Sequence, residues 1–291
     1  PKDADAMFDI LTYEKGASVL RMLEQHIGPT VFRDGVRQYL RTHAYGNADT
    51  NDLWTALGIG AHQPVPELMN GWIFQPGFPL VTAEVQGNEL RLSQQRFTYL
   101  AEESIAEQRW QIPVQLRLTI DGRTEHRKVL LTERDTRIDL PAGVTSVFVN
   151  EGGHGFYRVR YQGNLLRQLL DQGLERLAAI ERFLLVSDAW AATMAGLMPL
   201  PDYLRLIAHF KGERDRNVWA VLLESYSFLN RIVLPEDRAM LEACVRRCVK
   251  PEVDDLGWEP RSGESDLVRQ LRGDLLGALG KLGNDATAQQ E

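Results

Sequence analysis

A chain of 291 residues with 44% hydrophobic and 25% charged side chains has the composition of a folded globular protein, long enough for about two domains with room for a third. Its net charge of −7 is spread along the sequence, and no Lys/Arg block is interleaved with aromatics, so nucleic acid is not an expected partner. No apolar run approaches the roughly 18 residues of a membrane-spanning helix and no signal-peptide pattern opens the sequence, so no membrane partner is expected either.

Three regions follow one another with different periods. Residues 1–76 read as helical. Tyr13 to Ile27 carries Ala17, Leu20, Leu23 and Ile27 at helical spacing, and Gly28-Pro29 stops it. A second helix runs from Thr30 to His43, with Phe32, Val36, Tyr39 and Leu40 on its apolar face. After a turn at Gly46-Asn47, Asp49-Thr50 caps a short helix that holds Leu53, Trp54 and Leu57. Tyr45 and Trp54 are expected to anchor a core. A further helix, Val65 to Phe74, leads to Gln75-Pro76-Gly77-Phe78-Pro79, where a new region begins.

Residues 77–162 change to period two. Trp110, Ile112, Val114, Leu116, Leu118 and Ile120 alternate without a break, as a half-buried strand requires. Gly87-Asn88 and Asp121-Gly122 suit tight hairpin turns. Further strands are predicted at Leu80–Gln86, Glu89–Phe97, Arg127–Thr132, Thr136–Leu140, Ser146–Val149 and Phe156–Tyr161, a set that implies a small antiparallel sandwich.

Residues 163–291 return to helix. Leu165, Leu166, Leu169 and Leu170 begin it, and Leu177–Ala195, Tyr203–Phe210, Val218–Leu229, Asp237–Cys248 and Ser265–Leu282 follow. Connections at Pro199-Leu200-Pro201, Leu234-Pro235 and Lys250-Pro251 imply stacked antiparallel helices in a solenoid-like arrangement. Cys244 and Cys248, the only two cysteines, share one helix face, but no His or further Cys accompanies them. They read as reduced, partly buried thiols of a cytoplasmic protein.

The stretch Leu11-Thr12-Tyr13-Glu14-Lys15-Gly16-Ala17-Ser18-Val19-Leu20 resembles the tyrosine-bearing helix start of the aminopeptidase N family of gluzincin zinc metallopeptidases. The likeness continues in order through Tyr45-Gly46-Asn47-Ala48 with Asp52-Leu53-Trp54, Trp72-Ile73-Phe74-Gln75-Pro76-Gly77-Phe78-Pro79, and Asn150 with Gly155-Phe156-Tyr157-Arg158-Val159. Leu185-Val186-Ser187-Asp188-Ala189-Trp190 and Leu256-Gly257-Trp258 extend it into the last region. The resemblance implies a multidomain α and β architecture. Residues 1–76 would be the C-terminal helical part of a thermolysin-like peptidase domain, 77–162 an antiparallel β-sandwich, and 163–291 an incomplete α-helical domain.

By the same resemblance, Tyr13 is the catalytic residue of the chain. Its phenol would donate to the tetrahedral intermediate formed at a catalytic zinc. A phenol, with pKa about 10, gives that hydrogen bond without losing its proton. The family holds its zinc by H-E-x-x-H and a further glutamate, and its substrate's amine by a G-x-M-E-N loop. None of these occurs in the sequence. The resemblance therefore implies part of a zinc aminopeptidase that acts on peptides. The chain itself would hold no zinc and be inactive, its partner being the missing N-terminal catalytic segment of the same protein. The alternative is a non-catalytic interaction scaffold of the same architecture.

Other constellations carry less. The six histidines show no H-x-x-x-H pair, and Gly277-Ala278-Leu279-Gly280-Lys281 lacks the Ser/Thr of a phosphate loop. No G-x-S-x-G elbow exists, and the adjacent acids Glu102-Glu103 and Asp254-Asp255 read as solvated. Gly16 is expected to permit a close helix approach.

Overall fold

The computed structural model describes residues 11–100 and 108–290; Glu102-Glu103 lie outside them. The chain divides into two compact units, Pro1–Asp171 and Gln172–Glu291.

The first unit opens with a π-helical turn, Leu11–Lys15, that runs into α1 (Gly16–Ile27). Helices α2 (Pro29–Thr42), α3 (Thr50–Ala61) and α4 (Val65–Ile73) follow. The start of α3 is a capping box. Asp49 accepts from the N–H groups of Asn51 (2.8 Å) and Asp52 (3.1 Å), and Asp52 accepts from the Asp49 N–H at 2.8 Å. Helices α2 and α3 cross at Gly35, where a Cβ would lie 2.8 Å from Leu57 Cδ2 and 3.1 Å from Leu57 Cα. A Cβ here would press on Leu57, so the glycine eases the close crossing. At Gly16, by contrast, nothing among the described residues lies within 4 Å of where a Cβ would stand. Tyr45 also departs from expectation. It sits in a turn with φ 57° and is fully exposed, whereas Trp54 is buried.

Among the described residues seven strands build the sandwich: β1 (Pro79–Gln86), β2 (Glu89–Arg96), β3 (Ile112–Ile120), β4 (Arg123–Leu131), β5 (Asp135–Asp139), β6 (Val144–Val149) and β7 (Arg158–Tyr161). One sheet has the order β5-β2-β1-β7 and the other β4-β3-β6. Both central residues of the β3–β4 hairpin have positive φ, Asp121 at 47° and Gly122 at 79°, the twist that tight hairpins need. Every pairing is antiparallel except β1 with β7, where Leu80 faces Arg158 and Ala83 faces Tyr161 in parallel register. The last strand returns beside the first only after the chain has crossed both sheets, a long-range choice that alternation along β7 does not encode.

The inner faces of both sheets contribute to one apolar core, with Val81, Ala83, Leu90 and Leu92 from one and Val114, Leu116, Leu118 and Val147 from the other. Gln94, almost fully buried, ties the sheets. Its side-chain amide donates to the Trp110 (2.9 Å) and Glu133 (3.0 Å) carbonyls and accepts from the Trp110 N–H at 2.9 Å. Tyr161 makes a second tie, its hydroxyl accepting from the Val149 N–H (3.0 Å) and donating to its carbonyl (3.3 Å). Asn150, left-handed at φ 67°, brackets the following loop by accepting from the Gly155 N–H (2.7 Å) and donating to its carbonyl (3.2 Å). The short helix α5 (Leu165–Asp171) closes the unit, burying Leu165 and Leu169.

The second unit is helical: α6 (Ala179–Met194), α7 (Leu200–Ile207), α8 (Arg216–Ile232), α9 (Arg238–Leu256), α10 (Asp266–Lys281) and α11 (Ala286–Gln290). Trp190 packs between Tyr203 and Phe228, at 5.1 and 5.7 Å between ring centres. Helix α9 runs through Pro251, where the sequence places a connection. An interior proline costs about 3 kcal/mol. Val249, Val253 and Leu256 continue the buried stripe past it, and Glu252 accepts from the Gly212 N–H at 2.6 Å. Burial on both sides of the proline outweighs the lost hydrogen bond. Cys244 and Cys248 are free, and burial pushes the Cys248 thiol up while Tyr226 donates to its Sγ at 3.2 Å.

Glu213 organises the turn into α8. It takes a fork of hydrogen bonds from Arg182 (2.6 and 2.9 Å) and accepts from the N–H groups of Arg214 and Asp215, both at 2.8 Å. Burial alone would raise its carboxyl, but these donors outweigh it and hold the group below the usual carboxylate range. Its contribution is therefore complete above the ordinary value of 4.5 and is lost as the pH falls below it. Arg182→Met is expected to destabilise the chain by about 3 kcal/mol near neutral pH, because the buried Glu213 loses its counter-ion and keeps only main-chain donors. Urea unfolding checks this, and the variant should also lose less stability than the parent on acidification.

Candidate active-site tyrosine and its helix

Helix α1 is amphipathic, and its stripe Val19, Met22, Leu23 and Ile27 is buried. These residues belong to the same apolar core as Val114 and Leu116 of the sandwich. Burying an aliphatic side chain of this size contributes about 1.5–3 kcal/mol, so the stripe fixes which face of the helix looks inward. Tyr13 precedes it in the π-helical turn, with 59% of its surface exposed. Single π-helical turns are rare and are frequent at functional sites. Glu14 beside it is exposed, and burial lowers the Lys15 ammonium from its ordinary value.

At its other end α1 meets the sandwich through charged groups. Lys128 of β4 donates to the Gln25 carbonyl at 2.7 Å. Glu151, on the loop after β6, is held by Arg117 (3.4 Å) and by His126 Nδ1 (2.8 Å). His154 follows on that loop. Burial lowers its pKa first and Arg21 of α1 adds to this, while Glu24 and Glu151 pull the other way. His26 on α1 is also lowered, by burial first, with the Gln63 side chain opposing and Lys128 adding to the shift.

Among the described residues no group of three or more His, Cys, Asp or Glu side chains comes together in a way that could hold a metal ion. His43 faces Asp52 at 3.9 Å and His126 faces Glu151, as isolated pairs. Asp254 and Asp255 turn to different cations, Lys250 at 3.6 Å and Arg214 at 2.8 Å. No helix among the described residues is long and apolar enough to cross a membrane. Sequence reasoning named Tyr13 but not the π turn that presents it, nor Lys128, which alternation alone places on a solvent-facing strand position.

The helical segment, two-sheet sandwich and helical region occur in the order of a multidomain peptidase. A family model described as the peptidase family M1 domain matches residues 1–72, and one described as the ERAP1-like C-terminal domain matches residues 146–291. The chain belongs to the aminopeptidase N, or M1, family of metallopeptidases. It is 34% identical to Aminopeptidase M1 of Arabidopsis thaliana over 99% of its own length and 34% of that protein's. It is 32% identical to Tricorn protease-interacting factor F2 of Thermoplasma acidophilum, over 94% of this chain and 33% of that protein. With Puromycin-sensitive aminopeptidase of Caenorhabditis elegans the identity is 30%, over 99% of this chain and 31% of the relative. The chain thus spans about a third of the length of the curated relatives it matches.

The two histidines set a pH dependence whose sign is fixed. Their folded-state pKa values lie below the ordinary 6.5, so their contribution to stability is complete above that value and is lost as the pH falls through the depressed ones. Stability is expected to decline as the pH falls below the ordinary histidine value of 6.5, and His26→Gln should flatten that slope in unfolding curves taken across it.

Proposed function

We propose that this chain is the tyrosine-bearing part of a zinc-dependent aminopeptidase that removes N-terminal residues from peptides. Tyr13 is its catalytic residue, and the zinc ligands lie outside the chain. The observation that carries this reading is the Tyr13-Glu14-Lys15-Gly16 motif, its tyrosine exposed in a π turn at the head of an amphipathic helix, in a chain of the M1 family. Its three parts are residues 1–76, a peptidase-domain end; 77–162, the sandwich; and 163–291, the helical domain.

In peptide hydrolysis the attacked carbonyl oxygen takes on negative charge as the tetrahedral intermediate forms. An exposed phenol aimed at that oxygen donates a hydrogen bond and keeps its proton. The bond strengthens as charge develops, so it lowers the barrier rather than merely tightening substrate binding. One aimed donor of this type contributes about 2.7–4 kcal/mol in the transition state. Glu14, Lys15 and Gly16 carry no step.

Tyr13→Phe in the complete enzyme is expected to lower kcat by about two to three orders of magnitude with zinc content unchanged. Near-normal turnover would end the assignment. The chain by itself is expected to take up no stoichiometric zinc and to leave aminoacyl-anilides intact. Metal analysis and an anilide assay check this, and an active, metal-loaded chain would contradict it.

A further inference from the structure

Lys128 stands on the sandwich, opposite Gln115 in the β3–β4 register, yet its ammonium reaches the carbonyl of Gln25 on the tyrosine helix, 103 positions away in sequence, at 2.7 Å. The need for it is written into the helix end. The carbonyls of a last helical turn lack donors from their own helix, and in a continuing helix the Gln25 carbonyl would take the N–H of residue 29. Residue 29 is Pro29, which has none, and Gly28, with φ 96°, has already turned the chain away, its N–H returning to Glu24 at 2.8 Å. A cation at this point also faces the negative end of the helix dipole. One side chain therefore satisfies the vacant carbonyl, complements the dipole and ties helix to sheet.

We propose that Lys128 is a positioning residue for Tyr13: by fixing the C-terminal end of α1 to the sandwich, it sets the direction in which the far end of the helix presents the phenol. This rests on the reading of Tyr13 as the catalytic residue. The twelve residues of α1 form a lever. At the helical rise it is about 18 Å long, so a tilt of about 3° moves its head by about 1 Å, a misplacement that can cost on the order of 10²-fold in rate. The apolar stripe fixes which face of α1 is buried. Apolar contact is non-directional, so it leaves small tilts cheap, and a directional bond at the end removes them. The residue just before β3 holds α4 separately, through the Trp72 Nε1 donor to the Gln111 carbonyl at 3.0 Å, which gives an internal control.

The test uses Lys128→Met, Lys128→Arg, Tyr13→Phe and the Lys128→Met/Tyr13→Phe double variant. Hydrogen exchange is followed on the 291-residue chain, and kcat and KM on the complete enzyme. Lys128→Met is expected to speed amide exchange in Gly16–Ile27 but not in Val65–Ile73, and to lower kcat about fivefold with KM within about twofold. Lys128→Arg should restore both. Against a Tyr13→Phe background, Lys128→Met should cost nothing further, because it acts through the phenol. The positioning role is overturned if Lys128→Met leaves exchange and kcat unchanged while Tyr13→Phe is crippled, or if its loss persists in full in the double variant. If Tyr13→Phe itself turns over normally, the catalytic reading fails and takes the positioning role with it. Should Lys128→Met fold poorly, Lys128→Gln, which keeps a donor without the charge, is expected to fall between the parent and that variant. Parent-like behaviour in it would remove the role of the charge.

Discussion

The helix that leads from Tyr13 has one apolar stripe and cannot bury it alone. Val19, Met22, Leu23 and Ile27 lie in the same core as the inward-facing residues of the sandwich, so helix and sheets form one packed body rather than beads on a linker. The remaining features of the first unit answer to this. The turn at Gly28-Pro29 sends α2 back over α1, and the close crossing at Gly35 keeps α3 near enough to bury Trp54 and Leu57. Trp72 then joins the core from α4 while its indole N–H reaches the Gln111 carbonyl. Dense packing of this kind fixes which face of the helix is buried and leaves its finer direction to directional bonds.

Buried polar groups supply the geometry that apolar packing cannot. Gln94 and Tyr161 each connect the two sheets through main-chain groups, and Asn150 holds the loop that leads to β7. In the helical unit Glu213 and Arg272 do comparable work. Arg272, almost fully buried, donates to the Leu256 (3.3 Å) and Gly257 (3.0 Å) carbonyls at the end of α9 and pairs with Glu264 at 2.5 Å. Gln94, Asn150, Glu213 and Arg272 are almost fully buried, so each needs partners, and each pairing admits few alternative arrangements.

Much of this was legible in the sequence, because the deciding signals were local. The Asp49 cap, the Asp121-Gly122 hairpin and the unbroken alternation of β3 each encode their structure within a few residues. Signals that depend on distant partners were not legible. Nothing near β7 says that it will lie parallel to β1, and nothing near Pro251 says that burial will carry α9 through it. Gly35 looks like an ordinary mid-helix glycine until α3 arrives, and Tyr45 looks like a core aromatic until its backbone turns left-handed. At the candidate site the tyrosine was readable from its motif. Its π turn and the lysine at the other end of its helix required the fold.

The central claim is that the Tyr13 phenol faces the oxygen on which charge develops. A crystal structure of the complete enzyme with a tetrahedral transition-state analogue tests it most directly. The account predicts the phenol oxygen at about 2.7–3.1 Å from the analogue's oxygen, the range of an aimed donor. A phenol turned away from the analogue, or another side chain in that place, would contradict it.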